Sequence, residues 1–341
     1  MIEACCYDTY DKTVKCELCV INCEIKDGKK GFCKVRQNLG GKLYNSIYGE
    51  LSSFSTDFIE KAPCYHFYPN HKFLTIGSIG CNLRCGFCLT WNISQVDPGD
   101  VKAESIEIEK LIRSAKELKC RGIVYTHSEP TLNIEYYVEL MKEARRNNLA
   151  NVFATNGYIS LKAFDLISEY LDAVALTVKG NGDFYNEVCG VKFEKTHLTR
   201  LVDAVKARGI HLEVVYVLIP GYNDDEGSLI ELINFVRNAE APLIFLRFVP
   251  SYKMDKLDSP SEESMEYALN LAYEKGLKYA YLENIHTHPG KNTYCEKCKK
   301  LLIKRVGYGI VEWNLEDGKC SFCGANIPIV GKSFPLLKRA S

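Results

Sequence analysis

Three cysteines within eight residues, Cys81-Asn-Leu-Arg-Cys85-Gly-Phe-Cys88, constrain this chain more than any other stretch of it. They follow an apolar run, Phe73–Ile79, that reads as a strand and is punctuated by Gly77 and Gly80. A strand that ends in a glycine-rich turn offers backbone N–H groups to cluster sulfurs. An iron–sulfur cube normally takes four thiolates, so three leave one iron open to an exogenous ligand, by the logic that separates catalytic from closed zinc sites. Structural zinc is the rival reading. It prefers paired C-x2-C knuckles, and no fourth cysteine stands nearby.

The C-x3-C-x2-C spacing, with Phe87 just before the third cysteine, resembles the signature of the radical S-adenosylmethionine (SAM) superfamily. The longer string GCNLRCGFCLTWNISQ, Gly80 to Gln95, is similar to one branch of it, the AmmeMemoRadiSam enzymes related to the pyruvate formate-lyase activating enzyme. The resemblance implies a 4Fe-4S cluster on Cys81, Cys85 and Cys88 whose open iron binds SAM. It also implies reductive cleavage to methionine and a 5′-deoxyadenosyl radical that abstracts hydrogen. In such enzymes the cofactors carry the reaction, and the protein supplies placement and shelter.

Eleven of the 16 cysteines fall into three sets, leaving Cys5, Cys6, Cys64, Cys120 and Cys189 unassigned. The N-terminus lacks the basic-then-apolar layout of a signal peptide, no apolar run has the length of a membrane span, and a cytoplasmic location is expected. In that reducing compartment the thiols point to metals rather than disulfides. The 43 basic residues balance 43 acidic ones, which gives no electrostatic footprint for nucleic acid or an anionic membrane. At 341 residues and 46% hydrophobic content, the chain accommodates one large α/β domain with appended modules.

The expected organisation is an N-terminal cysteine-rich module over residues 1–70, a partial (β/α)6 barrel over 71–285, and a zinc-ribbon-like module with a tail over 286–341. In the first, Cys16, Cys19, Cys23 and Cys33 make a complete ligand set in 18 residues. Two readings stay open, a structural metal that staples a segment too short for its own core and an auxiliary iron–sulfur cluster. The flanking Gly31-Phe-Cys33-Lys-Val-Arg36-Gln-Asn38 again resembles the AmmeMemoRadiSam enzymes. His66 and His71 read as packed or surface residues rather than ligands.

Between residues 73 and 282, β-branched runs alternate with amphipathic helical stretches. Strands are expected at Phe73–Ile79, Gly122–Thr126, Asn151–Thr155, Ala173–Val178, His211–Leu218 and Leu243–Phe248, with a short seventh at Lys278–Leu282. Helical spacing recurs in Ile108, Leu111, Ile112, Ala115 and in Leu198, Leu201, Val202, Val205. Ser259-Pro260-Ser261-Glu262 reads as a helix start capped by Ser259, and Gly209 and Gly276 as helix stops. Right-handed crossovers turn such units into a barrel-like α/β fold that binds ligands at the carboxyl ends of its strands.

Those ends supply the candidate SAM contacts. His127-Ser128-Glu129-Pro130-Thr131 stands where the superfamily carries a Gly-Gly-Glu motif for the SAM amino group, and a carboxylate there bonds an ammonium strongly. Thr155 and Asn156 resemble residues of the activating enzymes' Asp-Thr-Asn-Gly motif, with Ala154 in place of the acid, and Lys179 resembles the lysine of their Asp-Leu-Lys. Arg247 is the charged candidate at the edge of the sixth strand, its alternative being a rim salt bridge. Pro220-Gly221-Tyr222-Asn223-Asp224 reads as a turn over the mouth.

Cys295, Cys298, Cys320 and Cys323 form two C-x2-C knuckles separated by 21 residues that read as a hairpin, Leu301–Arg305 and Gly309–Asn314. That pairing is a zinc-ribbon signal, with a rubredoxin-like iron as the lesser option. Lys297, Lys299, Lys300, Lys304 and Arg305 read as a solvated face, and His286 and His288 lie just before the ribbon. The functional expectation is a radical SAM oxidoreductase of the activating-enzyme type, served by a low-potential electron donor and acting on a glycyl residue or another C–H position. Its alternatives are modification of a small molecule or peptide with an auxiliary cluster, and a non-catalytic metal-binding scaffold.

Overall fold

A computed structural model describes residues 1–331 of the chain. The final ten residues of the expected third module therefore lie outside the described part. At the centre stands an eight-stranded sheet: β1 (Ser53–Phe58), β2 (Lys72–Gly77), β3 (Gly122–Thr126), β4 (Ala150–Thr155), β5 (Ala173–Val178), β6 (His211–Leu218), β7 (Leu243–Arg247) and β8 (Ala280–Glu283). The strands lie side by side in chain order. Seven are parallel, and β1 joins β2 antiparallel at one edge.

Parallel strands covered on both faces read as nearly continuous apolar runs, and Ala173-Val-Ala-Leu-Thr-Val178 does so with five of six residues buried. The crossovers are helices: α1 (Ile108–Glu117), α2 (Ile134–Arg146), α3 (Leu161–Ser168), α4 (Lys195–Ala207), α5 (Glu226–Ala239) and α6 (Glu262–Glu274). Helix α1 buries Leu111, Ile112 and Ala115, and α4 buries Leu198, Leu201, Val202 and Val205, as their spacing predicts. Each such side chain contributes about 2 kcal/mol relative to exposure.

Four expectations shift. The first strand ends at Gly77, because Ser78, Ile79 and Gly80 turn toward the cysteine loop. The strand β1 was not anticipated, since Phe54 and Phe58 share a face with only Thr56 between them and the strand stands at a half-exposed edge. Helix α6 is capped by Ser261, whose hydroxyl accepts from the Ser264 N–H, so Ser259 is not the cap and Pro260 precedes the helix. The N–H of Gly80 donates to the Ile93 carbonyl rather than to a sulfur.

The N-terminal segment folds as short antiparallel strands, including Tyr7–Tyr10, Thr13–Cys16 and Glu24–Ile25, and a second set containing Arg36–Leu39 and Lys42–Asn45. It is fixed to the sheet's helices by the buried pair Arg36–Glu135, 2.5 Å, and by a bridge from Cys19 to Ile159 beyond β4. At the other end, Leu301–Val306 pairs with Gly309–Trp313 and Leu315–Glu316 with Lys319–Cys320. Arg305 anchors this hairpin, donating to the carbonyls of Tyr65 and Lys291. No helix among the described residues is long and apolar enough to cross a membrane.

Candidate active site

Every strand from β2 to β7 contributes its carboxyl half to one cleft of about 380 Å³. Thr75, Thr126, Ala154, Ala175, Thr177, Val215 and Val217 form its floor, and their small side chains keep the middle of the sheet open. Cys81, Cys85 and Cys88 line one wall, and Ser128, Glu129, Thr155, Asn156 and Lys179 line it as well. The structure thus brings all eight sequence-predicted residues to one place.

The cysteine loop leaves β2 through Gly80, whose φ is +85°. A Cβ there would stand 2.8 Å from Val35 and 3.1 Å from the Cys33 carbonyl, so the N-terminal segment packs directly on this turn. Each sulfur has a polar neighbour. The Leu83 N–H donates to Cys81 Sγ at 3.4 Å, and Asn156 Nδ2 lies 3.7 Å from it. Cys88 Sγ meets the Ser94 hydroxyl at 3.2 Å and the Thr90 hydroxyl at 3.6 Å. Buried Cys189 neighbours Cys85 and favours its protonated thiol. Hydrogen bonds to cluster sulfurs tune a cluster's potential and fix its ligands.

Thr90, Ser94 and Cys189 escaped the sequence reading. Ser94 and Thr90 sit on the one-turn helix Trp91–Ser94 and the residue before it, close enough to the motif to have been suspected. Cys189 lies a hundred residues away and carries no local cue. The neighbouring Cys189 thiol, then burial, push the Cys85 thiol well up, and burial followed by the charge of Glu129 does the same to Cys81. A metal binding here displaces those protons.

Glu129 is buried and held from three sides. Its Oε1 accepts from Thr131 Oγ1 at 2.5 Å and Thr155 Oγ1 at 2.8 Å, and its Oε2 accepts from the Asn156 N–H at 2.9 Å. It also caps the turn Pro130–Asn133 through the Thr131 N–H. Burial raises its carboxyl above the usual range while these donors pull it back. Thr155 and Asn156 also make bonds within the protein. Thr155 spends its hydroxyl on Glu129 and the Gly157 N–H, and Asn156 spends its amide on Asn82, Tyr158 and the Cys81 sulfur. Their side chains therefore position Glu129 and the cysteine loop.

Ser128 Oγ, by contrast, is buried with no partner among the described residues, which leaves a donor for a bound group. The preceding His127 has φ +67°, a conformation natural to glycine, at the position where the superfamily motif has one. Lys179 is held by its backbone: its N–H donates to the Tyr185 hydroxyl and its carbonyl accepts from Asn223 Nδ2. Asn223 also bonds the Ile219 N–H and Val217 carbonyl, so the Pro220 turn ties the ends of β5 and β6 together. Arg247 lines the cleft without forming a rim salt bridge, and its Nε donates to the Pro260 carbonyl.

Three further histidines are bonded within the protein. His66 is buried against the Tyr281 hydroxyl and Pro328 carbonyl, His71 reaches the Pro69 carbonyl, and His288 meets Glu266. Cys295, Cys298, Cys320 and Cys323 gather with all sulfurs within 4.8 Å, the only such group of three or more ligand residues among the described ones. The sulfurs of Cys81, Cys85 and Cys88 stand further apart.

The strand ends of this parallel α/β sheet thus gather three thiols, a desolvated carboxylate, an orphaned hydroxyl and a lysine in one cleft. The sequence model of the radical SAM superfamily matches residues 75–233, and the chain belongs to that superfamily. It is 39% identical to the uncharacterized protein MJ0808 of Methanocaldococcus jannaschii over 97% of this chain and 100% of that protein. It is 22% identical to the pyruvate formate-lyase 1-activating enzyme of Escherichia coli K12 over 62% of this chain and 93% of that enzyme. Among solved structures, a radical SAM methyltransferase from Sphaerobacter thermophilus superposes with a TM-score of 0.50 at 18% identity, covering 66% of this chain and 71% of that one. This last likeness concerns the fold.

Proposed function

We propose that this chain is a radical SAM oxidoreductase of the activating-enzyme type, which removes a hydrogen atom from a glycyl residue or another unactivated C–H position of its substrate. The single observation that carries the reading is the convergence of Cys81, Cys85 and Cys88 with Ser128, Glu129 and Lys179 on one cleft. The three cysteines hold a 4Fe-4S cluster with one open iron, and when bound it supplies the electron that splits the SAM sulfonium into methionine and a 5′-deoxyadenosyl radical.

Glu129 and the Ser128 hydroxyl receive the SAM ammonium, and Lys179, which forms no ion pair among the described residues, neutralises its carboxylate. The donors around the three sulfurs steady the cluster. The curved sheet acts as a partial barrel that shields the cleft from water. Cys295, Cys298, Cys320 and Cys323 hold structural zinc: tetrahedral Zn–S bonds of about 2.3 Å place sulfurs about 3.8 Å apart, and two pairs here stand at 3.6 and 3.7 Å. The similarity to the activating enzyme over nearly all of that enzyme's length favours a C–H bond in a partner protein as substrate.

The test is anaerobic reduction of the iron-loaded protein with SAM present. Formation of 5′-deoxyadenosine and methionine by the wild type, abolished in Cys85→Ala, is expected. A fully loaded wild type that forms neither product is a metal-binding scaffold, and the proposal fails.

A further inference from the structure

Cys16, Cys19, Cys23 and Cys33 are not used by the cleft. All four line a separate small cavity, with Leu18, Ile21, Ile25, Phe32 and Leu132 as its apolar lining. We propose that this cavity is a second metal centre, a 4Fe-4S cluster held by all four thiolates with no open iron.

The N-terminal sulfurs are not gathered as tightly as the C-terminal four, which favours a cluster over a single ion. Tetrahedral zinc draws its sulfurs to about 3.8 Å apart, as in the C-terminal four. No three of the N-terminal sulfurs come within 4.8 Å of one another, although all four cysteines line one small cavity. A cube satisfies that arrangement because each thiolate binds its own iron at a separate corner.

Arg36 is an independent pointer to an anionic occupant. It lines the same cavity, is 1% exposed, and its Nε–H has no partner, while its terminal nitrogens are taken by Glu135 and the Leu132 carbonyl. An unpaired donor so deeply buried is costly, and a cluster carrying four thiolates offers it both charge and acceptors. Cys23 Sγ already accepts the Phe32 N–H at 3.4 Å.

The site is wired to the active site by protein groups. The Arg84 guanidinium lies 4.2 Å over the Phe32 ring, donates to the Phe32 carbonyl, and donates to the Cys81 carbonyl at 2.9 Å. Cys23 and Cys81 thus belong to one hydrogen-bonded path. Asn82, next to Cys81, also lines the N-terminal cavity.

The deciding measurement is iron, sulfide and zinc content of full-length protein prepared anaerobically, with two variants. In the triple variant Cys81→Ala, Cys85→Ala, Cys88→Ala, the N-terminal centre should keep about four irons and four sulfides. That variant should also show an electron paramagnetic resonance signal on reduction that SAM does not alter. Cys16→Ser should lose about four irons relative to the wild type with its zinc unchanged. A triple variant without iron, or one with about two zincs per chain, overturns the proposal. Neither readout depends on SAM cleavage, so a wild type that forms no 5′-deoxyadenosine but retains iron in the triple variant leaves this inference standing.

Discussion

Glu129 shows how a single side chain is made specific. A lone carboxylate in this cleft would be neutralised by desolvation, which raises its proton affinity. Four protein donors offset that cost, leaving the Oε2 atom with one protein partner and room for another donor. In Glu129→Gln the amide retains the shape but loses the charge, and its NH2 group sets a donor against the Asn156 N–H or leaves the Thr hydroxyls unpaired. A charged hydrogen bond contributes about 1.5–3 kcal/mol, so SAM should bind roughly 10- to 100-fold more weakly while iron content is unchanged. Anaerobic equilibrium binding of SAM measures this, and wild-type affinity in an iron-replete variant would remove Glu129 from the SAM site. Glu129 was legible because its type and its place after a strand carry the chemistry. The commitment of Thr155 and Asn156 to Glu129 and Cys81 was not, because hydrogen-bond partners 26 and 75 residues apart are set by strand register.

At the scale of elements, the turn between β2 and the cysteine loop is the tightest joint. Gly80 has the backbone conformation of a left-handed turn and faces Val35 and the Cys33 carbonyl. Gly80→Ala adds the left-handed strain, about 1–2 kcal/mol, to overpacking of about 1–3 kcal/mol. A loss of about 3 kcal/mol in urea unfolding is expected, together with reduced iron occupancy, and unchanged stability would mean that the N-terminal segment yields freely. The element boundaries follow the same division. Gly122–Thr126, Ala173–Val178 and His211–Leu218 were readable to the residue because interior strands are apolar on both faces. The edge strand β1 was invisible because half of its surface meets solvent and its residues need no pattern.

Across the whole molecule, a buried polar seam joins the connection before β2, the far end of the sheet and the C-terminal hairpin. His66 bonds the Tyr281 hydroxyl at 2.6 Å and the Pro328 carbonyl at 3.1 Å, and its backbone N–H reaches Glu213. Burial lowers its pKa from 6.5 to about 4. A histidine with a depressed folded pKa takes up its proton on unfolding, so its contribution is present above pH 6.5 and is lost as pH falls toward 4. Between pH 7 and pH 5 that loss is about 2 kcal/mol. Glu60, pushed up to about 7 by burial against the pull of Arg305, works with the opposite sign, so the comparison must be between proteins. His66→Gln should show about 2 kcal/mol less destabilisation than wild type over that pH interval by urea unfolding. Identical pH dependence in the two would mean that His66 does not titrate with folding.

The amino-acid sequence by itself determined the chemistry: the spacing of three cysteines, the strand and helix periodicities and two further thiol sets are local, and local spacing is what a chain can state. Which thiols share a donor, which polar groups are left unpaired and how far apart the sulfurs stand are long-range quantities. They were decided when the parallel strands fell into register and the N-terminal segment packed on Gly80. Cys189 came to neighbour Cys85, and Arg36 came to line the cavity of the four N-terminal cysteines with an N–H unspent among the described residues, only through that packing.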